Sequence, residues 1–507
     1  MLPHPDPALV AALSSDLAAA SYSSDALREA WGEHADAAHG RGLRSPAERA
    51  LAGRDDSLAV IGRLFALGVP VEGAAVDRAL PQTRGEGLTA LGIARIDGDL
   101  VRPTVLIRPQ SFSDDVGEGE WWIASDLDEA ALGGPLPEDH VLGVGGASLT
   151  LARLQSTVPA ASGLDVGTGC GIQALRMRRV IDGVVATDVS ERALRFTRLN
   201  ALLNGVDGIE TRLGSLFTPV AGERFDRIVS NPPFVITPRE TGVPAYEYRD
   251  GGMVGDDLVA SVVRGVGEHL EPGGLAQLLG NWETRDGVEG LDRVREWVAS
   301  SPVPLDAWVI EREWLDPIAY AELWIRDGGT VPGSPVFSGL VDAWLDDFAA
   351  RGVTGIGFGY LLLRRPSAGE PTLARYEEAF GAGDGALGAH VDAAFAAHDR
   401  LAALDDEALA ATRLIVAPDV TEARHHRPGE ADPTVIELRQ GEGFGRAITV
   451  DPGLAALVGA SDGDLPTGAL IDAIAQLLEV DPVLLRADLL PRVRELVFTG
   501  FLRLAPG

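Results

Sequence analysis

Apolar residues along the chain alternate between two spacings, and the changes of spacing mark out its elements. Over residues 6–35 they recur every three or four positions in an alanine-rich run, which predicts one or two helices. Asp56-Ser57 supplies an N-cap for a helix over 58–67, stopped by Gly68 and Pro70, and shorter helices are predicted over 72–80 and 85–91. Strand-like runs follow at 94–96 and 100–108, joined across Asp97-Gly98-Asp99, and at 121–126. Beyond residue 160 the pattern becomes short apolar runs separated by helical ones. Strands are predicted at 162–166, 184–187, 208–212, 225–230, 275–279, 307–312 and 355–364, and helices at 172–180, 256–269 and 288–300. Such alternation is the pattern of a doubly wound α/β sheet. A segment at 316–352 with a helix over 340–348 interrupts it, and the tail reads helix, helix, strand at 468–478, 488–499 and 500–504.

The strand ends carry the candidate chemistry. The first breaks into Asp165-Val166-Gly167-Thr168-Gly169-Cys170-Gly171, whose glycines let the backbone turn sharply and bring helix N–H groups close to a ligand. The spacing is G-x-G-x-G, distinct from the G-x-G-x-x-G of dinucleotide sites. The second strand ends in Asp188-Val189, where an acid is placed to accept hydrogen bonds from ribose hydroxyls. The third leads to Gly214-Ser215-Leu216-Phe217, and the fourth runs into Asn231-Pro232-Pro233-Phe234. Four strand ends thus deliver glycine or polar residues to one edge, where such sheets bind ligands.

These runs, in this order, resemble the class I S-adenosylmethionine-dependent methyltransferases that act on nitrogen and carry an N-P-P-[FY] signature. The likeness covers roughly residues 140–310. Within that class the chain is similar to the protein-glutamine methyltransferases that modify release factors and to the small-domain RNA guanine methyltransferases. The resemblance implies a Rossmann-like domain with a mostly parallel seven-stranded sheet and S-adenosylmethionine as cofactor. It implies that Asp165, Gly167, Thr168, Gly169 and Gly171 line the methionine end, that Asp188 and Val189 meet the ribose, and that Ser215 and Leu216 meet the adenine. It further implies that Asn231 and the Pro232 carbonyl accept the two N–H hydrogens of a substrate nitrogen, with Pro233 completing the turn and Phe234 stacking on the substrate plane. Two departures stand out: Ser215 replaces the family's usual acid, and Val144-Gly145-Gly146-Ala147-Ser148 replaces its proline-rich loop over the cofactor. An amide or exocyclic amine is a poor nucleophile because its lone pair is delocalised, so fixed acceptors favouring the pyramidal transition state are the help it needs.

Length, charge and the single cysteine set the remaining bounds. The 507 residues suggest three parts: a helical, winged-helix-like module over 1–130, the methyltransferase domain over 131–366, and a second winged-helix-like module over 367–507 after a linker at 366–371. One cysteine excludes an internal disulfide, and Cys170 reads as a packing residue. The start has no basic, apolar leader and no run is long enough to span a bilayer, so a cytoplasmic protein without membrane contact is expected. The formal charge of −32 disfavours generic attraction to nucleic acid, and every cation is arginine. Arg192, Arg195 and Arg198 share a helix face suited to phosphates, although a solvated surface is the plainer reading. No metal-ligand cluster is evident, His425 and His426 being adjacent. Trp314, Tyr320, Trp324 and Trp344 read as packing residues, and residues 235–255, with Tyr246, Tyr248 and Arg249, as a loop that orders over substrate. The expected activity is methylation of a protein glutamine or asparagine amide. The alternatives are a guanine or adenine nitrogen of nucleic acid, and a cofactor-binding scaffold without catalysis.

Overall fold

The computed structural model describes residues 2–505 apart from 115, 135, 241, 245, 247, 382–384 and 386. The chain divides into two compact units, residues 1–152 with 159–377, and residues 153–158 with 378–507.

The first unit is centred on a mixed sheet. Its strands are β1 (Ala160–Val166), β2 (Ile181–Asp188), β3 (Ile209–Leu213), β4 (Phe225–Ser230), β5 (Leu270–Arg285), β6 (Asp306–Leu315), β7 (Val353–Arg364) and β8 (Ala374–Glu378), in the order β8-β6-β7-β5-β4-β1-β2-β3. Strands β1 to β5 run parallel, and β7 lies antiparallel between β5 and β6. This is the Rossmann-like class I arrangement with one strand more than the seven expected. The addition, β8, pairs at the β6 edge, where Ala307 N–H donates to the Leu373 carbonyl (2.8 Å). Strand β5 begins ahead of the predicted 275–279 and carries a bulge near its start: Leu270 faces Phe225 and Leu275 faces Arg227.

Around the sheet lie helices α1 (Ile172–Met177), α2 (Glu191–Leu203), α3 (Asp257–Val266), α4 (Gly290–Ala299), α5 (Pro317–Asp327) and α6 (Pro335–Ala350). Helix α5 was not foreseen. Asp316 caps it by accepting from the N–H groups of Ile318 (2.8 Å) and Ala319 (2.9 Å), with Pro317 at the first helical position.

Ahead of the sheet come helices Pro7–Ala19, Ser24–Trp31, Glu33–His39, Ser45–Leu51 and Ser57–Ile61. A three-stranded sheet of Val71–Glu72, Leu100–Pro103 and Ala94–Asp97 follows. The strand expected over 100–108 breaks at Thr104, which folds back to donate from its N–H to Ile93 O (3.0 Å) and from its hydroxyl to Gly92 O (2.8 Å). A separate hairpin of Val105–Asp114 and Gly117–Asp126 takes up the rest. These segments share one buried core with α1 and α2, running from Leu17, Phe65 and Ile107 to Cys170, Phe196 and Leu199. A second core fills the space between the sheet, α3 and α4, and a third joins Tyr320, Trp344 and Phe348 to Ile356.

The second unit contains a sheet of Asp462–Pro466, Arg413–Val416 and Leu502–Leu504, and another of Val420–His425, Val435–Gln440 and Ala447–Val450. Its longest helices are Leu387–Ala402 and Pro482–Phe498. Among the described residues no helix is long and apolar enough to cross a membrane.

Candidate active site

Strand order reverses beside β1, whose neighbours are β2 on one side and β4 on the other. A cavity of about 370 Å³ opens at the C-terminal ends of these strands, where doubly wound sheets hold ligands. Gly167, Thr168, Gly169, Asp188, Val189, Ser215, Leu216, Asn231, Pro232 and Pro233 all line it.

The glycine loop has a distinct task at each position. All three glycines have positive φ, +74°, +55° and +86° at Gly167, Gly169 and Gly171. A Cβ added to Gly167 or Gly169 would meet nothing within 4 Å, so both present bare backbone to the open space. A Cβ on Gly171 would lie 2.9 Å from Thr197 Cγ2, so this residue lets the loop close against α2. Thr197 donates its hydroxyl to Gly169 O (3.1 Å), and Asn200 donates to Cys170 O (2.7 Å) while exchanging two hydrogen bonds with the Ala124 backbone (2.7 and 2.9 Å).

The two acids at this end differ in environment. Asp165 is fully buried and absent from the cavity wall. One of its oxygens accepts from the Thr168 hydroxyl (2.6 Å) and the Ala174 N–H (3.1 Å), and the other, Oδ1, has no partner among the described residues. Burial pushes its carboxyl up to about 7. Asp188 stands on the wall, accepting from the N–H groups of Gly169 (3.0 Å) and Ser190 (2.8 Å). Burial raises the Cys170 thiol to about 11, which keeps it protonated and unreactive at neutral pH. Leu216 has φ +49°, a left-handed conformation costly for a branched side chain and held here at the cavity edge.

At the end of β4 Asn231 borders the cavity, and its side-chain carbonyl oxygen is shielded from water and unpaired among the described residues. An unpaired buried acceptor costs about 1–3 kcal/mol, which a ligand N–H at this position would relieve. Phe234 does not border the cavity. Its ring lies edge-on to Trp324 (6.3 Å) and Phe358 (6.2 Å), between the second and third cores. Of the four aromatics expected to pack, Tyr320 and Trp344 are buried and Trp324 lies partly buried against the third core, whereas Trp314 is exposed.

Further wall residues come from outside the strand-end motifs. His140, Leu142, Gly143 and Ser148 approach from before β1, and Tyr248, Asp250, Gly251 and Gly252 from the loop after Phe234. Within the expected cofactor loop at 144–148, Ser148 also receives a hydrogen bond at its carbonyl from Gln173 Nε2 (2.8 Å). Burial lowers the His140 imidazole below its usual value, and its ring meets Tyr248 edge-on at 5.9 Å. Positions 241, 245 and 247 of the loop lie outside the described residues; Tyr246 and Arg249 are buried. The arginine face of α2 is largely spent internally: Arg192 pairs with Asp126, and Arg195 with Glu191 and the Leu2 carbonyl.

The cavity fits S-adenosylmethionine: bare loop backbone, a carboxylate at the second strand end and an orphaned acceptor at the fourth converge on one space. Residues 145–283 match the family described as methyltransferase small domain, and residues 19–104 and 393–504 match two families described as domains of unknown function. The chain is 33% identical over 135 residues to the release factor glutamine methyltransferase of Xylella fastidiosa, covering 25% of this chain and 49% of that protein. It is 34% identical over 123 residues to the ribosomal protein uL3 glutamine methyltransferase of Xanthomonas campestris, covering 22% and 39%. It is 33% identical over 120 residues to the ribosomal RNA small subunit methyltransferase C of Escherichia coli, covering 23% and 30%. The chain thus spans half or less of the length of each relative. Residues 145–283 are a class I, S-adenosylmethionine-dependent methyltransferase domain of the small-domain group that includes these amide and RNA methyltransferases.

Proposed function

We propose that the chain methylates a planar nitrogen, the side-chain amide of a protein glutamine or asparagine. The observation that carries this reading is Asn231 on the cavity wall with its side-chain carbonyl oxygen buried and unpaired among the described residues. S-adenosylmethionine, when bound, supplies an electrophilic methyl group. Gly167, Gly169 and Asp188 hold the cofactor, with Ser215 and Leu216 at its adenine end. Asn231 Oδ1 and the Pro232 carbonyl accept the two amide hydrogens, and the Pro232-Pro233 turn fixes the angle between these acceptors. Two fixed acceptors stabilise the nitrogen as it becomes pyramidal more than they stabilise the planar amide, so their binding energy is expressed in the transition state. Alignment of the nitrogen with the methyl group does the rest.

The protein substrate is favoured by the charge of −32 and by the internal use of Arg192 and Arg195. Nitrogen of an RNA base is the second reading, supported by the likeness to the ribosomal RNA methyltransferase. Tritiated methyl transfer into a cell lysate separates the two. Label released by protease and resistant to nuclease is expected; nuclease-sensitive label overturns the protein assignment. Asn231→Ala is expected to lower transfer at least a thousandfold while the affinity for S-adenosylhomocysteine, measured by calorimetry, stays within about twofold. Full transfer by that variant removes Asn231 from the chemistry.

A further inference from the structure

We infer that helix α5 of the insertion positions the wall of the cavity that follows Asn231, with Tyr320 and Arg249 as its positioning residues. The insertion's role is therefore internal to the site.

One helix grips that segment at both ends. Near the start of α5, the fully buried Tyr320 hydroxyl accepts from the Ile236 N–H (3.0 Å), two residues past Phe234, and from Asn281 Nδ2 on β5 (2.7 Å). Burial holds this phenol well above its ordinary pKa, so it stays a neutral hydroxyl. At the far end of α5, Arg249 donates to the Trp324 carbonyl (2.9 Å) and to Asp327 (2.6 Å), and its guanidinium lies 4.6 Å from the Tyr246 ring centre. The Tyr248 hydroxyl also reaches Asp327 (3.3 Å). The two ends are tied to each other, since Val235 N–H donates to the Arg249 carbonyl (2.8 Å). Asp250 closes the arrangement by accepting from the Thr237 hydroxyl and the Tyr246 N–H.

Three of the residues held this way or next to it, Tyr248, Asp250 and Gly251, are cavity wall, and Asn231 to Pro233 lead directly into the segment. The loop is too long to be fixed by its own turns, and its polar backbone is buried at 235–237. The hydroxyl of Tyr320 is therefore what sets where the chain goes after the Asn-Pro-Pro-Phe run. Its ring is separately packed against Trp344 and Phe358, so removing the oxygen alone isolates the positioning role.

The test is Tyr320→Phe in the full chain, with Asp327→Asn as a second, surface-accessible variant. Its activity arm rests on the proposed amide transfer, and its exchange arm does not. Three readings are taken: amide hydrogen exchange over residues 231–240, calorimetric binding of S-adenosylhomocysteine, and the rate of tritiated methyl transfer to lysate protein per cofactor-binding site. Tyr320→Phe is expected to speed exchange over 231–240 at least tenfold. It is expected to lower the maximal transfer rate at least tenfold, with KM for S-adenosylmethionine and the binding stoichiometry unchanged within twofold. Asp327→Asn is expected to lower the rate about threefold in the same pattern. A role in packing alone would leave the rate per binding site unchanged. Unaltered exchange, or an unaltered rate per site, overturns the inference. If the wild-type chain transfers no label, the proposed function fails, and exchange over 231–240 still decides the positioning role.

Discussion

The two sides of the cavity are built at different distances along the chain. On the glycine-loop side, Asp165 reaches Thr168 and Ala174, three and nine positions on, and Asp188 returns to Gly169 across nineteen. Beyond Asn231, Tyr320 reaches back 84 positions to Ile236, and Arg249 reaches forward 78 to Asp327. The first side is a motif in the ordinary sense, since its acids reach near neighbours in sequence and its most distant supports, Thr197 and Asn200, lie 28 and 30 positions on. The second takes its shape from an insertion some eighty positions further along the chain. In the proposed reading the local device meets the cofactor and the distant one shapes the substrate side.

The largest effect that sharpens this contrast belongs to Asp165. Burial pushes its carboxyl up to about 7 in the folded chain, well above the ordinary range of an aspartate. A raised folded value means the folded state holds the proton more tightly. The stability this contributes is fully present below about pH 4 and is lost as pH rises through 7. Asp165→Asn cannot lose it. Its stability relative to wild type is therefore expected to rise between pH 4 and 8, by on the order of 4 kcal/mol for a shift of about three units. All nine tryptophans lie in the first unit, so the thermal transition followed by tryptophan fluorescence reads that unit directly. A difference independent of pH would show that the loop is not organised around a buried, protonated acid.

Asp188→Ala comes next. It removes a carboxylate that accepts from the N–H groups of Gly169 in the loop and Ser190 at the start of α2 and, in the proposed reading, from the ribose. A loss of about hundredfold in affinity for S-adenosylhomocysteine is expected, roughly 2.7 kcal/mol. Affinity held within threefold would break the division, because the local device would then not be what holds the cofactor.

The same division explains what was legible in the sequence. The strands β1 to β4, their glycine and acidic ends, and Asn231 announce themselves by alternation of apolar runs and by residues needed for tight turns. The eighth strand did not, since residues 374–378 are partly exposed edge residues with no apolar run. Helix α5 had a signal that went unused, the Asp316-Pro317 cap. Asn200 and Tyr320 had none: each sits within an ordinary helical pattern, and only the folded chain brings it to the Cys170 or Ile236 backbone. His140 reaches the cavity for the same reason, by tertiary placement outside any motif, whereas Tyr248 belongs to the loop expected near the substrate.

Phe234 tests where the boundary between the two sides falls. It belongs to the motif, and a stacking role would place it with the local device. Its ring instead packs edge-on against Trp324 and Phe358, away from the cavity wall. Phe234→Leu keeps an apolar side chain in that contact and gives up aromatic edge contacts worth about 1 kcal/mol. A small fall in the fluorescence transition temperature and a methyl-transfer rate within about threefold of wild type are expected. Tyr320→Phe, in contrast, keeps its ring and loses at least tenfold. If Phe234→Leu lost a hundredfold in rate with its transition unchanged, the ring would be touching the substrate. The wall after Asn231 would then be specified by its own sequence as closely as the glycine loop is.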